Sequence, residues 1–195
     1  MTASRVICIT GGIGSGKSSV SAIVHEAGYP VYNSDQRAKE LMGIDGALYD
    51  SIVSYFGIQA YKGGILNRAF LAQKIFNDGA AKKYLESIVH PAVKEDFEYW
   101  QNQQVSGILF KESALVFETN DASCDYILLV TASLEKRIKR VLVRDPELSE
   151  RQVRERVKSQ HTSEQVKHKA DYILSNEGSL EELINSVNHF LSRVI

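Results

Sequence analysis

The chain has 195 residues, 44% hydrophobic and 24% charged, with a formal net charge of −1. That size fits one domain with subdomains or two small ones, with a core large enough to hold a pocket. The even charge argues against a general binder of nucleic acid or of a membrane surface, and no apolar run is long enough for a membrane span. The N-terminus opens straight into a strand-like run with no charged leader. The two cysteines, Cys8 and Cys124, make no disulfide framework and no zinc site. A cytoplasmic location is therefore expected, with Cys8 a buried, inert thiol in the first strand.

That first run, Val6–Thr10, leads into Gly11-Gly12-Ile13-Gly14-Ser15-Gly16-Lys17-Ser18. Gly11, Gly16, Lys17 and Ser18 match the phosphate-loop pattern G-x-x-x-x-G-K-[S/T]. A polyphosphate needs several donors converging on it. Glycines let successive backbone N–H groups turn inward with no Cβ in the way, and the helix that follows adds the positive end of its dipole. On this reading Gly12, Ile13, Gly14, Ser15, Gly16, Lys17, Ser18 and Ser19 hold ATP. Lys17 reaches the β- and γ-phosphates, and the Ser18 hydroxyl holds Mg²⁺. Val20, Ile23, Val24 and Ala27 keep helical spacing, and Gly28 supplies a C-terminal stop. The alternative is a glycine-rich strand-to-helix turn without a ligand.

Further strands are predicted at Tyr29–Asn33, Gly107–Glu112, Tyr126–Val130 and Tyr172–Leu174. Short apolar runs alternating with helical patterns predict an α/β fold with a parallel sheet covered by helices. Pro30 and the polar character of the second strand place it near an edge. Residues 36–104 read as a helical insertion that divides a core of residues 1–35 and 105–195. Within it, Leu48, Ile52, Tyr55 and Phe56 share a helix face, and Lys62-Gly63-Gly64 makes a turn. Asn67 caps a helix carrying Leu71 and Ile75, and Asn77-Asp78-Gly79 is a break. Tyr84, Leu85 and Ile88 lie on a further helix, and Pro91 opens the next, which carries Val93, Phe97 and Trp100. After the fourth strand, Leu134, Ile138, Val141 and Leu142 are again helix-spaced, and Asp145-Pro146 ends that helix. Capping boxes at Ser149/Gln152 and Ser179/Glu182 start two more.

Several residues outside the loop can carry chemistry. Asp35 ends the second strand, where carboxyl ends face a ligand crevice. It can take a proton from an acceptor hydroxyl or hold Mg²⁺, or it can cap a helix starting at Gln36. Arg137, Arg140 and Arg144 form a stripe that either neutralises a moving phosphoryl group or is a solvated helix face. Glu112 and Glu118 can orient Mg²⁺ through water or simply end a strand. His90 can touch substrate or serve the structure. The loop after Tyr172, through Asn176, can face an adenine ring.

Neither an Asn-Lys-x-Asp guanine motif nor an apolar run ending in Asp-Glu follows, which points away from a GTPase switch or a translocating ATPase. A helical insertion with an arginine-bearing segment fits a small-molecule kinase, which must cover the transferred group against water. Nearly end to end, the chain resembles the dephospho-coenzyme A kinase family. Ile9 to Ser18 resembles that family's opening. Leu66-Asn67-Arg68, Ile75-Phe76 and His90-Pro91 resemble its insertion. Leu115-Val116-Phe117-Glu118 resembles its Pro-Leu-Leu-Phe-Glu, less the proline, which Ala114 replaces. Arg140, Arg144-Asp145, Arg156 and Gln160 resemble its lid, and Ala170-Asp171 and Asn176 its last strand and loop. Asn33-Ser34-Asp35 stands where the family shows Asp-Ala-Asp, so Asn33 departs from it.

The resemblance implies a three-layer fold of the P-loop nucleoside-triphosphate hydrolase type with a five-stranded parallel sheet, a helical insertion and a lid at about residues 137–168. It implies transfer of phosphate from ATP, with Mg²⁺, to the 3′-hydroxyl of dephospho-coenzyme A. Asp35 is the implied base, with Lys17 and Arg140 as further catalytic residues. Arg144 and Asn176 are implied nucleotide contacts, and Thr10, Asp35, Arg68 and His90 acceptor contacts. A monomer or weak homo-oligomer is expected. The other readings are a kinase for another small hydroxyl acceptor, such as a nucleotide or sugar acid, and an ATP-binding regulator without transfer.

Overall fold

The structure, a computed structural model, describes residues 4–195. Its central strand is β1 (Arg5–Thr10), whose residues Val6 to Thr10 are all buried. Strand β1 runs through the phosphate-loop residues into α1 (Lys17–Glu26), and β2 (Val31–Asn33) follows. The chain then passes through α2 (Ser34–Leu41), α3 (Tyr49–Phe56), the short strands β3 (Tyr61–Lys62) and β4 (Ile65–Leu66), α4 (Arg68–Asn77) and α5 (Gly79–Asn102). It continues through β5 (Ile108–Glu112), α6 (Val116–Thr119), β6 (Tyr126–Thr131), α7 (Leu134–Arg144), α8 (Glu150–Lys158), α9 (Ser163–Val166), β7 (Tyr172–Ser175) and α10 (Leu180–Val194).

The sheet order is β2-β5-β1-β6-β7. Strand β1 pairs in parallel with β5 and β6, and β6 with β7. The predicted five-stranded parallel sheet is therefore present, and the proline-bearing second strand is its short edge. Pro30 has no N–H to give, but its carbonyl accepts from Phe110 N at 2.9 Å. Against the sheet, Val20, Ile23 and Val24 of α1 pack beside Leu183, Val187 and Phe190 of α10. Each fully buried side chain of this kind contributes roughly 1.5–3 kcal/mol. Helix α1 stops where predicted, at Gly28 with φ +92°, a left-handed turn that glycine takes without strain.

The chain divides into two compact units, one running to Tyr32 and resuming at Gln104, the other Asn33–Gln103. The second has its own apolar core of Leu48, Ile52, Phe56, Tyr61, Leu71 and Ala81. Tyr55 stacks on Tyr84 with centroids 3.9 Å apart, and Tyr49 meets Tyr61 at 4.7 Å. The Gly63-Gly64 turn closes the β3–β4 hairpin, with both glycines at positive φ. Asn67 caps α4 by accepting from Phe70 N.

Three expectations are corrected. Pro91 does not open a helix; it lies inside the 24-residue α5. An interior proline costs about 3 kcal/mol, since it removes one N–H and crowds the turn before it. Ile88, Val89 and Ala92 pack on the same core across it, and burying that continuous face keeps the helix in one piece. Cys8 is buried but is not a free thiol: it is bonded to Cys124. Asp125 N donates to Val6 O at 2.9 Å at the entry to β6, so strand pairing brings together two cysteines that lie 116 positions apart. Asp35 is not a helix cap. Helix α2 starts at Ser34 and is capped by Asn33, whose Oδ1 accepts from Gln36 N at 2.8 Å.

Candidate active site

Residues 11–18 join the carboxyl end of the central strand to the start of α1, where a parallel sheet opens its ligand crevice. The backbone folds back on itself, Ser15 N donating to Gly12 O at 3.1 Å. At Gly14, with φ +76°, a Cβ would stand 2.4 Å from Arg137 O, so glycine there answers both to conformation and to close approach. Lys17 Nζ donates to Gly11 O at 2.8 Å and to Gly12 O at 3.4 Å, which places its charge on the loop.

Ser18 Oγ donates to Glu112 Oε1 at 2.8 Å. Glu112 ends β5, opposite Ile9 in the register, and is buried. An alcohol and a carboxylate are the hard oxygen donors Mg²⁺ takes, so this pair fits that ion. Of the two acids considered from sequence, Glu112 makes this contact. Glu118 lines a small cleft beside the loop with Thr10, Gly11, Gly12, Gln160 and His161.

Side chains from distant parts of the chain hold the loop's polar atoms. Gln160 Oε1 accepts from Ile13 N at 2.8 Å, and Arg137 Nε donates to Ile13 O at 2.9 Å. Asn176 Nδ2 donates to Ser15 O at 2.8 Å. Arg140 reaches Ser15 O at 3.4 Å and, through Nη2, both the carbonyl and the side-chain oxygen of Asn176 at 3.0 and 3.3 Å. A trans peptide points its C=O and N–H in opposite directions. Pinning the carbonyls of Ile13 and Ser15 from outside therefore aims the N–H groups of Gly14 and Gly16 the other way, inward. The side chain of Ile13 packs on Ile138, Val141 and Val153, where α7 meets α8. Ser19, the third residue of α1, is exposed. Arg144 is exposed and paired with Asp145 at 2.7 Å; that hydrogen bond raises its guanidinium above its ordinary value, and burial opposes the rise.

The remaining candidates lie in the second unit. Asp35 is exposed in the first turn of α2. Arg68 opens α4, and His90 precedes Pro91 in α5; both are exposed. The pair that fixes α2 to α5 is absent from the sequence reading. Arg37 Nε and Nη2 donate to the two carboxylate oxygens of Asp96 at 2.8 and 2.5 Å, and Nη1 contacts Glu40. The hydrogen bond to Asp96 raises the Arg37 guanidinium above its ordinary value, burial opposes, and Glu40 adds to the rise. Only a bidentate match between residues 59 positions apart would have revealed it.

A glycine loop on the central parallel strand, with a cation and a magnesium-type donor pair at its end, defines a P-loop nucleotide-binding protein. In a structural comparison the chain matches a shikimate kinase from Bacteroides thetaiotaomicron with TM-score 0.56 at 11% identity, covering 97% of this chain and 98% of that one. A crystal structure of a Thermus thermophilus protein matches with TM-score 0.85 at 33% identity, covering 98% of each chain. The dephospho-CoA kinase family model matches residues 5–182. The dephospho-CoA kinase of Bacteroides fragilis strain YCH46 is 36% identical over 174 residues, 88% of this chain and 84% of that protein. The chain belongs to the dephospho-CoA kinase family. Among the described residues, no helix is long and apolar enough to cross a membrane.

Proposed function

We propose that this chain transfers the γ-phosphoryl group of ATP to the 3′-hydroxyl of dephospho-coenzyme A, giving coenzyme A and ADP, the closing step of coenzyme A synthesis. The observation that carries this reading is the buttressed phosphate loop, with Lys17 on it and Ser18 joined to Glu112, in a chain of this family.

The inward amides of the loop and the start of α1 bind the phosphates. Lys17 leaves the carbonyls of Gly11 and Gly12 for the β- and γ-phosphate oxygens, exchanging two neutral acceptors for charged ones. Ser18 and Glu112 are the residues that hold Mg²⁺. When bound, that ion neutralises charge on the phosphate oxygens. Asp35 takes the proton of the 3′-hydroxyl as the new P–O bond forms and the bond to the β-phosphate oxygen breaks. Arg140 turns from Ser15 O and Asn176 to place charge beside the transferring group, Arg144 contacts the nucleotide, and residues 137–168 cover the site as a lid against water. Asn176, whose side chain is engaged with Ser15 and Arg140, acts on the nucleotide through the loop. Thr10, Arg68 and His90 contact the acceptor.

Asn33 keeps one function an aspartate would serve there. The two residues cap helices about equally well, so the turn that carries Asp35 is anchored without a second negative charge. We place the enzyme in the cytoplasm, where ATP is supplied, as a monomer or weak homo-oligomer.

The test incubates the protein with ATP, Mg²⁺ and a panel of hydroxyl acceptors and follows ADP release. Release that depends on dephospho-coenzyme A is the expected result. Release that depends instead on another acceptor, or nucleotide binding with no acceptor-dependent turnover, overturns the assignment.

A further inference from the structure

Arg137 is the member of the α7 arginine stripe that the mechanism leaves unused. Its surroundings are unlike those of its neighbours. It is 8% exposed, whereas Arg140 is half-buried and Arg144 exposed. Its Nε is held by Ile13 O. Its Nη2 is buried and has no hydrogen-bond partner. Among the described residues no carboxylate pairs with it, and burial alone draws its guanidinium below the ordinary value.

The loop is cut to receive this side chain. A Cβ on Gly12 would stand 2.2 Å from Arg137 Nη2 and 2.7 Å from Cζ. At Gly14, a Cβ would stand 3.0 Å from Arg137 Cα. Two glycines that the phosphate-loop pattern leaves variable are thus the two that admit Arg137. A cation buried with no counter-charge destabilises the fold unless something offsets it. Against this loop, an anion on the inner side of the same peptides would supply the compensating charge.

We propose that Arg137 is a positioning residue for the polyphosphate. It pins the Ile13 carbonyl so that the Gly14 amide faces inward, and it stores an uncompensated positive charge on the outer wall that phosphate binding neutralises through the loop. The inference rests on the reading that this loop binds a nucleotide polyphosphate; it does not depend on which hydroxyl receives the phosphoryl group.

Two variants separate the hydrogen bond from the charge. Arg137→Gln keeps an N–H donor for Ile13 O and removes the charge; Arg137→Met removes both. Binding of ADP, ATP and inorganic triphosphate is measured by calorimetry without acceptor at two salt concentrations, and thermal unfolding is followed with and without ATP. Removing the charge is expected to weaken ATP binding about tenfold, the scale of one charge-assisted contact, and to flatten its salt dependence. Arg137→Met is expected to weaken it further, and both variants to gain a smaller rise in melting temperature from ATP than the wild type. Arg137→Gln melting no lower than the wild type without ligand, yet binding more weakly, supports the stored charge. ATP binding within twofold of wild type in Arg137→Gln overturns the stored charge. A variant that only melts lower while binding normally assigns Arg137 a purely structural role and overturns the inference. If Arg137→Met does not fold, the Gln variant decides the question. Wild-type protein that binds ATP but leaves dephospho-coenzyme A untouched removes the function proposed above and leaves this inference to the binding data. Wild-type protein that binds no polyphosphate removes both.

Discussion

The phosphate loop and the helical unit of residues 33–103 are held by opposite means. The loop's carbonyls and one of its amides are gripped by Arg137, Arg140, Gln160 and Asn176, all more than 120 positions away. The helical unit rests on an apolar cluster and stacked tyrosines, with one bidentate ion pair, and it leaves Ile58, Ile65 and Phe76 largely exposed. Directional bonds fix atoms to within a fraction of an ångström, whereas apolar cores tolerate exchange of side chains of similar volume. The contrast teaches that the loop's peptide orientations hang on single directional bonds, each removable by one substitution, while the order of the helical unit is shared over a packed cluster.

The sharpest break in this comparison is Asp35→Asn. Turnover is expected to fall by about 10²- to 10⁴-fold, the contribution of a general base, with ATP affinity unchanged by calorimetry; wild-type turnover would remove Asp35 from the mechanism. Arg140→Ala follows, with kcat down about 10²-fold from lost transition-state charge. A change confined to KM would make Arg140 a ground-state anchor. Asn176→Ala frees the Ser15 carbonyl and should weaken nucleotide binding by about tenfold, the scale of one or two buried hydrogen bonds, while the KM for dephospho-coenzyme A stays put. Asp96→Asn is its mirror image. It loosens α2 from α5, so the acceptor KM and kcat should move several-fold and ATP binding should not; equal effects of both variants on both substrates would erase the distinction drawn between the two units.

The smallest effect concerns pH. Burial alone would raise Asp121. Hydrogen bonds from Lys111 and Ser123, with the Lys111 charge, outweigh it and hold the carboxyl below its ordinary 3.8. With the folded value depressed, the stabilisation is complete above that ordinary value and is lost as pH falls through the folded one. Asp121→Asn should therefore flatten the loss of stability below about pH 4, as read from melting temperature against pH.

Much of this was legible in the sequence, for physical reasons. The strands announce themselves as apolar runs because β1, β5 and β6 are buried on both faces. Ser149, Ser179 and Asn67 cap through bonds that span three residues, so spacing alone reveals them. Apart from the Asn33 cap, the misses are contacts that local pattern does not encode. Pro91 sits mid-helix because a distant core buries both flanks. Asn33 fills the capping role that was one alternative for Asp35, because the helix begins two residues earlier. The contacts of Gln160 and Arg137 with Ile13 exist only once α7, α8 and β1 are assembled, so no spacing rule exposes them.

The Cys8–Cys124 bond bears on how all of these variants are compared. It ties the strand directly beneath the loop to a segment 116 positions away. A loop of that span restricts the denatured ensemble by about 4–5 kcal/mol. A reducing buffer, or the glutathione of a cell, therefore changes the reference from which every melting curve is read, by more than most single substitutions do. Oxidised and reduced preparations of one sequence should melt about 10–20 °C apart, so redox poise has to be fixed before any mutant is ranked.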